Sequence, residues 1–412
     1  MTAAAKNNIM EFPKKSPYVP CDDDTYTACK LPKDVPDWLK EARVDAFKRF
    51  QKQGLPTPKL ERFKYTNVAK YVGQWDGVLA EPKIQVESEY VSALVDKWDG
   101  ENWIKELLAA NPPGLEKYAD TALWDLNTAY LHDGHVVDIP VGKIVDEPIH
   151  LKITGEDDSY SSQRFIVRVG DNAQATLIED FGGNGEYWRN RVSQILLGKN
   201  ARLHHIIIHK DSDHAAYTQF THVQMDRDAH YDGFALNTGA AMMRHQIHAD
   251  LNDVNGHASL NGLNLLKDKQ HADTTILVNH RAAHCSSNQF YRNILDDSAH
   301  GVFQGKVHVF EDAQKTDGYQ LSNTLLLTES AIMDTKPELE IYADDVQCSH
   351  GATTGQLDEE PLFYLRSRGL SEKQARFLLI QAFVGEVLDK VENEAMKERL
   401  EKDVITWLET QL

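Results

Sequence analysis

The sequence predicts a mainly β protein, a solenoid of short strands with a helical region on either side. Between about Leu123 and Ala343, short apolar alternations such as Ile149, Leu151, Ile153 and Phe165, Val167, Val169 are separated by Gly, Asn and Asp turns. Three polar tetrapeptides, Gly170-Asp171-Asn172-Ala173, Gly198-Lys199-Asn200-Ala201 and Asp226-Arg227-Asp228-Ala229, each precede a strand at a constant step of 28 residues. Weaker copies follow at Asp253-Val254-Asn255-Gly256, Asp296-Asp297-Ser298-Ala299 and Thr328-Glu329-Ser330-Ala331, where insertions stretch the period. A fixed period suits stacked coils, none of which buries its apolar face alone; a sandwich also has many short strands but demands no single period.

The elements follow in order. Residues 1–36 are polar and carry Pro13, Pro17, Pro20, Pro32 and Pro36, which predicts an extended arm. Asp37 opens a helix with Leu39, Ala42, Ala46, Phe47 and Phe50 on one face, closed by Gly54 and Pro56. A second helical stretch is expected from about Glu87 to Ala110, ending at Asn111-Pro112-Pro113-Gly114, so that 37–122 form an N-terminal helical domain. The solenoid core spans 123–350, and its open ends call for flanking helices at both.

The C-terminal helical domain, 351–412, supplies one set. Glu359 to Arg368 reads as a short helix ended by Gly369, and Ser371-Glu372-Lys373-Gln374 is a capping box. Ala375, Leu378, Leu379, Ala382 and Phe383 make the stripe of the helix it opens. A last helix carries Met396, Leu400, Val404 and Leu408 at i, i+4 spacing, a stripe for core packing or for docking a partner.

Composition narrows the function. With 44 Lys and Arg against 63 Asp and Glu, the net charge of −19 disfavours nucleic acid as a partner. Nothing approaches the roughly 18 apolar residues of a membrane span, and the first residues lack a secretory or organellar signal, so the expected location is cytoplasmic. Cys21, Cys29, Cys285 and Cys348 are too scattered for a disulfide framework and are expected as reduced thiols.

Chemistry-bearing residues are then weighed one by one. Of the 18 histidines, His204 and His205 point to opposite faces of a strand and cannot chelate one ion together; the stretch His280, His284, Cys285 has helix-type spacing in a strand region, so no standing metal site is expected. Gly301 to Val307 misses the phosphate-loop spacing and lacks the Ser or Thr after Lys306, so the chain is not expected to hydrolyse ATP. Asp344-Asp345 is a conceivable carboxylate pair for a β-helix lyase or hydrolase acting on carbohydrate, but adjacent residues diverge and a turn fits better. Metal storage by a homodimer is a third reading.

Cys348-Ser349-His350 lies where strands give way to helices. Cys348 and His350 are two apart, so an extended backbone sets them on one face with Cα atoms about 6.6 Å apart. A thiol and an imidazole then address one ligand, and a nearby imidazolium would favour thiolate, the form that binds soft metals or sulfur species. A merely buried thiol beside a turn histidine fits the spacing equally well.

Several motifs resemble the SufB/SufD family of iron–sulfur cluster assembly proteins. Trp38, Gly54-Leu55-Pro56-Thr57 and Glu61-Arg62-Phe63-Lys64-Tyr65-Thr66 look like its N-terminal region, with Phe63 where tryptophan is usual. Ala313-Gln314-Lys315-Thr316-Asp317, Asn323-Thr324-Leu325-Leu326-Leu327 and Pro337-Glu338-Leu339-Glu340-Ile341 are similar in order and spacing, as are Cys348 to Thr353 and Phe363-Tyr364-Leu365-Arg366-Ser367-Arg368-Gly369. His350-Gly351-Ala352, where SufB-like chains carry His-Glu-Ala, favours the SufD branch.

The resemblance implies a right-handed parallel β-helix that pairs edge to edge with SufB and binds the ATPase SufC through its C-terminal helices. Phe363, Tyr364, Arg366 and Arg368 are the expected docking residues. It places His350, with Cys348 as auxiliary, at the SufB–SufD interface as transient ligands of a nascent Fe-S cluster. No tightly bound cofactor is expected, ATP is used by the partner, and alone the chain is a possible homodimer.

Overall fold

The computed structural model describes residues 35–72, 78–80, 83–98, 100–109, 121–131 and 134–411. The arm before Val35, Cys21, Cys29 and the Asn111–Gly114 helix end lie outside them. The N-terminal region holds helix α1 (Asp37–Gln53), a 3₁₀ turn (Glu61–Phe63), α2 (Val68–Val72), strands β1 (Val78–Leu79), β2 (Lys83–Gln85) and β3 (Val91–Ala93), then α3 (Asn102–Ala109) and α4 (Ala122–Ala129). Leu39, Ala46, Phe47 and Phe50 bury the predicted face of α1, and Gly54 ends it at φ 69°. The helix expected from about Glu87 to Ala110 is present only in its second half, Asn102–Ala109. Val91–Ala93 pairs antiparallel with the first solenoid strand and a 3₁₀ turn follows, because the open edge of that strand outweighs local helix propensity. Similarly, residues 122–129 form a fully buried helix rather than the first strand.

Then come β4 (Gly134–Ile139), β5 (Ile149–Gly155), β6 (Ser159–Val169), β7 (Gln174–Gly183), β8 (Tyr187–Leu197), β9 (Arg202–Lys210), β10 (Ala216–Met225) and β11 (His230–Asn237). They continue as β12 (Met242–Leu251), β13 (His257–Leu266), β14 (His271–His280), β15 (Ser286–Leu295), β16 (His300–Val309), β17 (Asp317–Leu326), β18 (Ile332–Ile341) and β19 (Gln347–Gly355). Even-numbered strands stack in parallel in one sheet and odd-numbered ones in the other, a β-solenoid of about eight turns. The last strand runs past residue 350, where the core was expected to end.

The tetrapeptide repeat has a physical cause at the even-to-odd corner. Its third residue takes a left-handed conformation, φ 57° at Asn172, 55° at Asn200 and 60° at Asp228, which Asn and Asp tolerate best. Its fourth is an alanine tucked into the core, Ala173, Ala201 and Ala229. The side chains also join coil to coil: Asn200 Nδ2 donates to Asn172 Oδ1 at 3.0 Å and Asn255 Nδ2 to Asp228 Oδ1 at 2.8 Å. The copies at 296–299 and 328–331 are not stretched versions of this corner. They lie at the opposite one, between odd and even strands, which is why the period breaks there.

The solenoid interior is apolar at the even-to-odd side, with Val167, Ile195, Val223, Ala249 and Val278 stacked in register, and polar further back along the strands. There Arg191 pairs with Glu179, which also accepts from His205 Nε2 at 2.9 Å, and Arg189 pairs with Asp211. Burial, which alone would raise the Glu179 carboxyl, is outweighed by Arg191 and His205, so it lies below its usual range.

Helices cover sides rather than both ends. α4 packs on the outer face of the even sheet, where Asn127 Nδ2 donates to Gln163 O at 2.9 Å and Asn190 O at 3.0 Å. The segment around Arg62 continues across that face: Arg244 and Gln304 donate to Arg62 O at 2.8 and 3.1 Å, and Lys336 Nζ reaches Glu61 at 2.6 Å. At the C-terminus, α5 (Glu359–Ser367) ends at Gly369 with φ 97°. α6 (Glu372–Leu388), opened by the Ser371 capping box, and α7 (Glu394–Gln411) then cover the odd sheet.

Met396, Leu400, Val404 and Leu408 pack with Ile206, Ile208, Leu236 and Leu263, so that stripe is core. On α6, Ala375 is buried as expected, but Leu378 and Ala382 are exposed, and Ile380, Val384 and Val387 face the sheet instead. The first coil is closed by β2 and β3. Among the described residues no strand pairs with the outer edges of β18 and β19. Nor is any helix there long and apolar enough to cross a membrane.

Candidate functional site at the open end of the solenoid

The open end brings Cys348 and His350 together on the inward-facing register of β19, as their spacing predicted. Cys348 lies opposite Gly318 and His350 opposite Gln320 on β17. Gly318 lies directly beside the thiol: a Cβ there would meet Cys348 Sγ at 3.4 Å and Ser287 Oγ at 3.7 Å, ordinary contact distances. Val307, Val309, Ala313 and Ala343 pack on the half-buried Cys348 side chain.

The thiol differs in protonation from the sequence expectation. Burial pushes Cys348 up and Asp317 adds to that, while a hydrogen bond with the Gly318 backbone only partly offsets them. No imidazolium acts on it, so at neutral pH it is held as the thiol until a cation or metal displaces the proton. His350 is different: its side chain is exposed. On the opposite, outward register Phe290, Tyr319, Leu321 and Ser349 line a groove of about 690 Å³ against Glu386, Asp389 and Lys390 at the end of α6, across the strand from the inward-facing His350. The arrangement offers one freely accessible imidazole nitrogen donor and, beside it, one shielded sulfur.

The other histidines do not converge. His205 is inside, bonded to Glu179 and Tyr231 at 2.9 Å each, whereas His204 is outside near Asp232 and Glu392 at 3.7 and 3.8 Å. His209 stacks on Phe181. His280 donates to or accepts from Ser287 Oγ at 2.8 Å, and His284 occupies a left-handed corner at φ 61°. Cys285 is buried, its thiol directed at Asp253 O at 3.3 Å and pushed up by burial. Among the described residues no group of three or more His, Cys, Asp or Glu is placed to hold an ion. Asp344 and Asp345 form the bend before β19, with Asp345 paired to Lys315.

A second surface lies on α5. Phe363 and Tyr364 are 74% and 56% exposed, far more than large apolar groups usually are on a helix. Arg368 stacks over the Tyr364 ring at 5.3 Å, and Arg366 stands exposed beside Glu372. Sequence reasoning missed the buried Arg189, Arg191 and Glu179. The signal was present as arginines at i and i+2 in β8, which places both inside.

Residues 151–383 match the model of the SUF-system FeS cluster assembly SufBD core domain, and residues 26–92 that of the SufBD protein N-terminal region. The chain is 36% identical over 310 residues to a SufBD-family iron–sulfur cluster assembly protein of Synechocystis, covering 72% of this chain and 68% of that one. It is 29% identical over 374 residues to the iron–sulfur cluster assembly protein SufD of Escherichia coli, covering 84% and 88%. A SufBD-family protein of Mycobacterium leprae is 28% identical over 371 residues, covering 87% and 90%.

Proposed function

The chain belongs to the SufBD family of iron–sulfur cluster assembly proteins, and from that premise we propose that it is a non-catalytic scaffold subunit of SufD type. It pairs with a SufB-type subunit through the open end of the solenoid and binds a SufC-type ATPase through its C-terminal helices. The observation that carries this reading is the uncovered end formed by β18 and β19, whose inner face holds His350 and Cys348 at the rim. A nascent Fe-S cluster, as cargo rather than resident cofactor, takes His350 as its ligand or proton acceptor from this side. Cys348 contributes as a thiolate only once metal lowers its pKa. One imidazole and one shielded thiol fall short of the four ligands such clusters need, so the partner completes the set.

The α5 surface fits the ATPase. Phe363 and Tyr364 supply apolar area and Arg366 and Arg368 supply charge, the mix typical of an interface centre. The test is assembly from separately purified SufB- and SufC-type subunits, read by native mass spectrometry. A complex holding one copy of this chain beside one SufB-type subunit is expected, and Phe363→Glu should release the ATPase while leaving the solenoid pair. Failure of the SufB-type subunit to bind at all would refute the scaffold reading.

A further inference from the structure

Asparagine followed by glycine is the dipeptide most open to self-modification, because the next residue's backbone nitrogen attacks the side-chain amide and glycine has no Cβ to block it. The chain has three such pairs, Asn184-Gly185, Asn255-Gly256 and Asn261-Gly262. The fold treats them differently. Asn261 is buried within β13, its backbone in the ladders with β11 and β15 and its Nδ2 donating to Ser259 Oγ at 2.9 Å. Asn255 occupies a left-handed corner at φ 62°, where its N–H donates to Ala283 O at 3.3 Å and its Nδ2 to Asp228 Oδ1 at 2.8 Å. Gly256 after it is buried, with its N–H facing the Cys285 sulfur.

Asn184 lies in the turn from β7 to β8 with its side chain exposed. Neither that side chain nor the Gly185 N–H has a hydrogen-bond partner among the described residues. The fold also demands glycine next to it. Gly185 has φ 82°, and a Cβ there would stand 2.0 Å from Asp157 Oδ1, so no side chain can shield the attacking nitrogen. Asp157 is held close because its Oδ1 accepts from the Glu186 N–H at 2.7 Å.

We infer that Asn184-Gly185 is a modification site at which this chain deamidates spontaneously, while the fold keeps the other two pairs intact. The Gly185 nitrogen gives its proton to water and bonds to Asn184 Cγ; the Cγ–Nδ2 bond breaks, ammonia leaves and a cyclic imide remains. Water then opens the imide at either carbonyl, giving aspartate or isoaspartate with no change of oxidation state. Both products add a carboxylate near Asp157 and Glu186. Isoaspartate also lengthens the turn backbone by a methylene, which displaces Glu186 from Asp157 and from the Asp158 N–H that donates to its carbonyl at 2.7 Å.

The experiment ages the full chain in mildly alkaline buffer, folded and in urea, and maps it by peptide mass spectrometry, with isoaspartate counted by enzymatic methylation. In the folded chain Asn184 should react about tenfold or more faster than Asn255 or Asn261, which must first break one or two hydrogen bonds. In urea the three rates should converge, which isolates the fold as the cause. Asn184→Gln, whose longer side chain closes the imide far more slowly, should remove most of the folded-state signal with the thermal midpoint unchanged. Intact Asn184 in the folded chain after the urea sample has reacted overturns the inference. So do equal folded-state rates at Asn255 or Asn261, or a signal that persists in Asn184→Gln.

Discussion

Replacing Asp250 with asparagine should cost stability in a pH-dependent way, because the carboxylate is buried on the outer face of β12 among groups that need its charge. His222 Nε2 lies 2.8 Å from Oδ2, Asn279 Nδ2 donates to Oδ1 at 2.7 Å, and Arg281 reaches Oδ1 at 3.0 Å. Burial alone would raise the carboxyl, but His222, Arg281 and Asn279 outweigh it and hold it at about 2, against an ordinary 3.8. That drop of nearly two units, at about 1.4 kcal/mol per unit, is worth about 2.5 kcal/mol. A depressed carboxyl stabilises the fold above its unfolded pKa, and the contribution is lost as pH falls through the folded value. The Asp250→Asn penalty should therefore be about 2.5 kcal/mol at pH 7 and about half that at pH 3. Equilibrium urea unfolding at both pH values, followed by tryptophan fluorescence, measures it. An equal penalty at pH 7 and pH 3 would refute the argument that charge at Asp250 is what matters.

Further expectations follow from the core and the corners. Glu179→Gln leaves Arg191 without its carboxylate inside the solenoid and should destabilise by about 3–5 kcal/mol in the same assay. Gly262→Ala places a Cβ 2.2 Å from Cε1 of the buried Tyr291 ring and should cost about 1–3 kcal/mol, seen as a lower midpoint with unchanged ATPase-partner binding. Asn200→Ala forces a Cβ without a polar arm into φ 55° and removes the bond to Asn172, for a loss of about 1–2 kcal/mol in thermal unfolding.

Much of the fold was legible because each solenoid corner imposes a local demand that only a few residues meet. Asn172, Asn200 and Asp228 report a left-handed turn, and the alanines after them report a crowded interior, so period and class follow from the sequence alone. The opposite corner was misread because Asp297 uses the same chemistry at another place in the coil. Val91–Ala93 reads as part of a helix until the unpaired edge of β4 recruits it. The stripe of α6 was ambiguous because Phe377, Leu378, Leu379 and Ile380 leave no polar gap, and only the sheet decides which of them is covered.

The site divides the same way. Alternation on a strand set Cys348 and His350 on one face, and they are there. What the sequence withheld was environment: that Gly318, Val307 and Ala343 shield the sulfur, and that the imidazole is exposed at the open end of the solenoid. Those contacts come from coils distant in sequence. The helices expected at the C-terminal end lie on its side instead, since Ile206, Leu236 and Leu263 make the outer face of the odd sheet too apolar to leave in water.

The most direct test of the scaffold account is Fe-S cluster formation in the complex reconstituted with SufB- and SufC-type subunits, followed by visible absorption and acid-labile sulfide. His350→Ala should lower the yield to about a tenth or less, the scale seen when a metal site's supporting groups are removed, with complex formation and ATP hydrolysis retained. Cys348→Ala should keep most of the yield. Wild-type yield from His350→Ala would contradict the account.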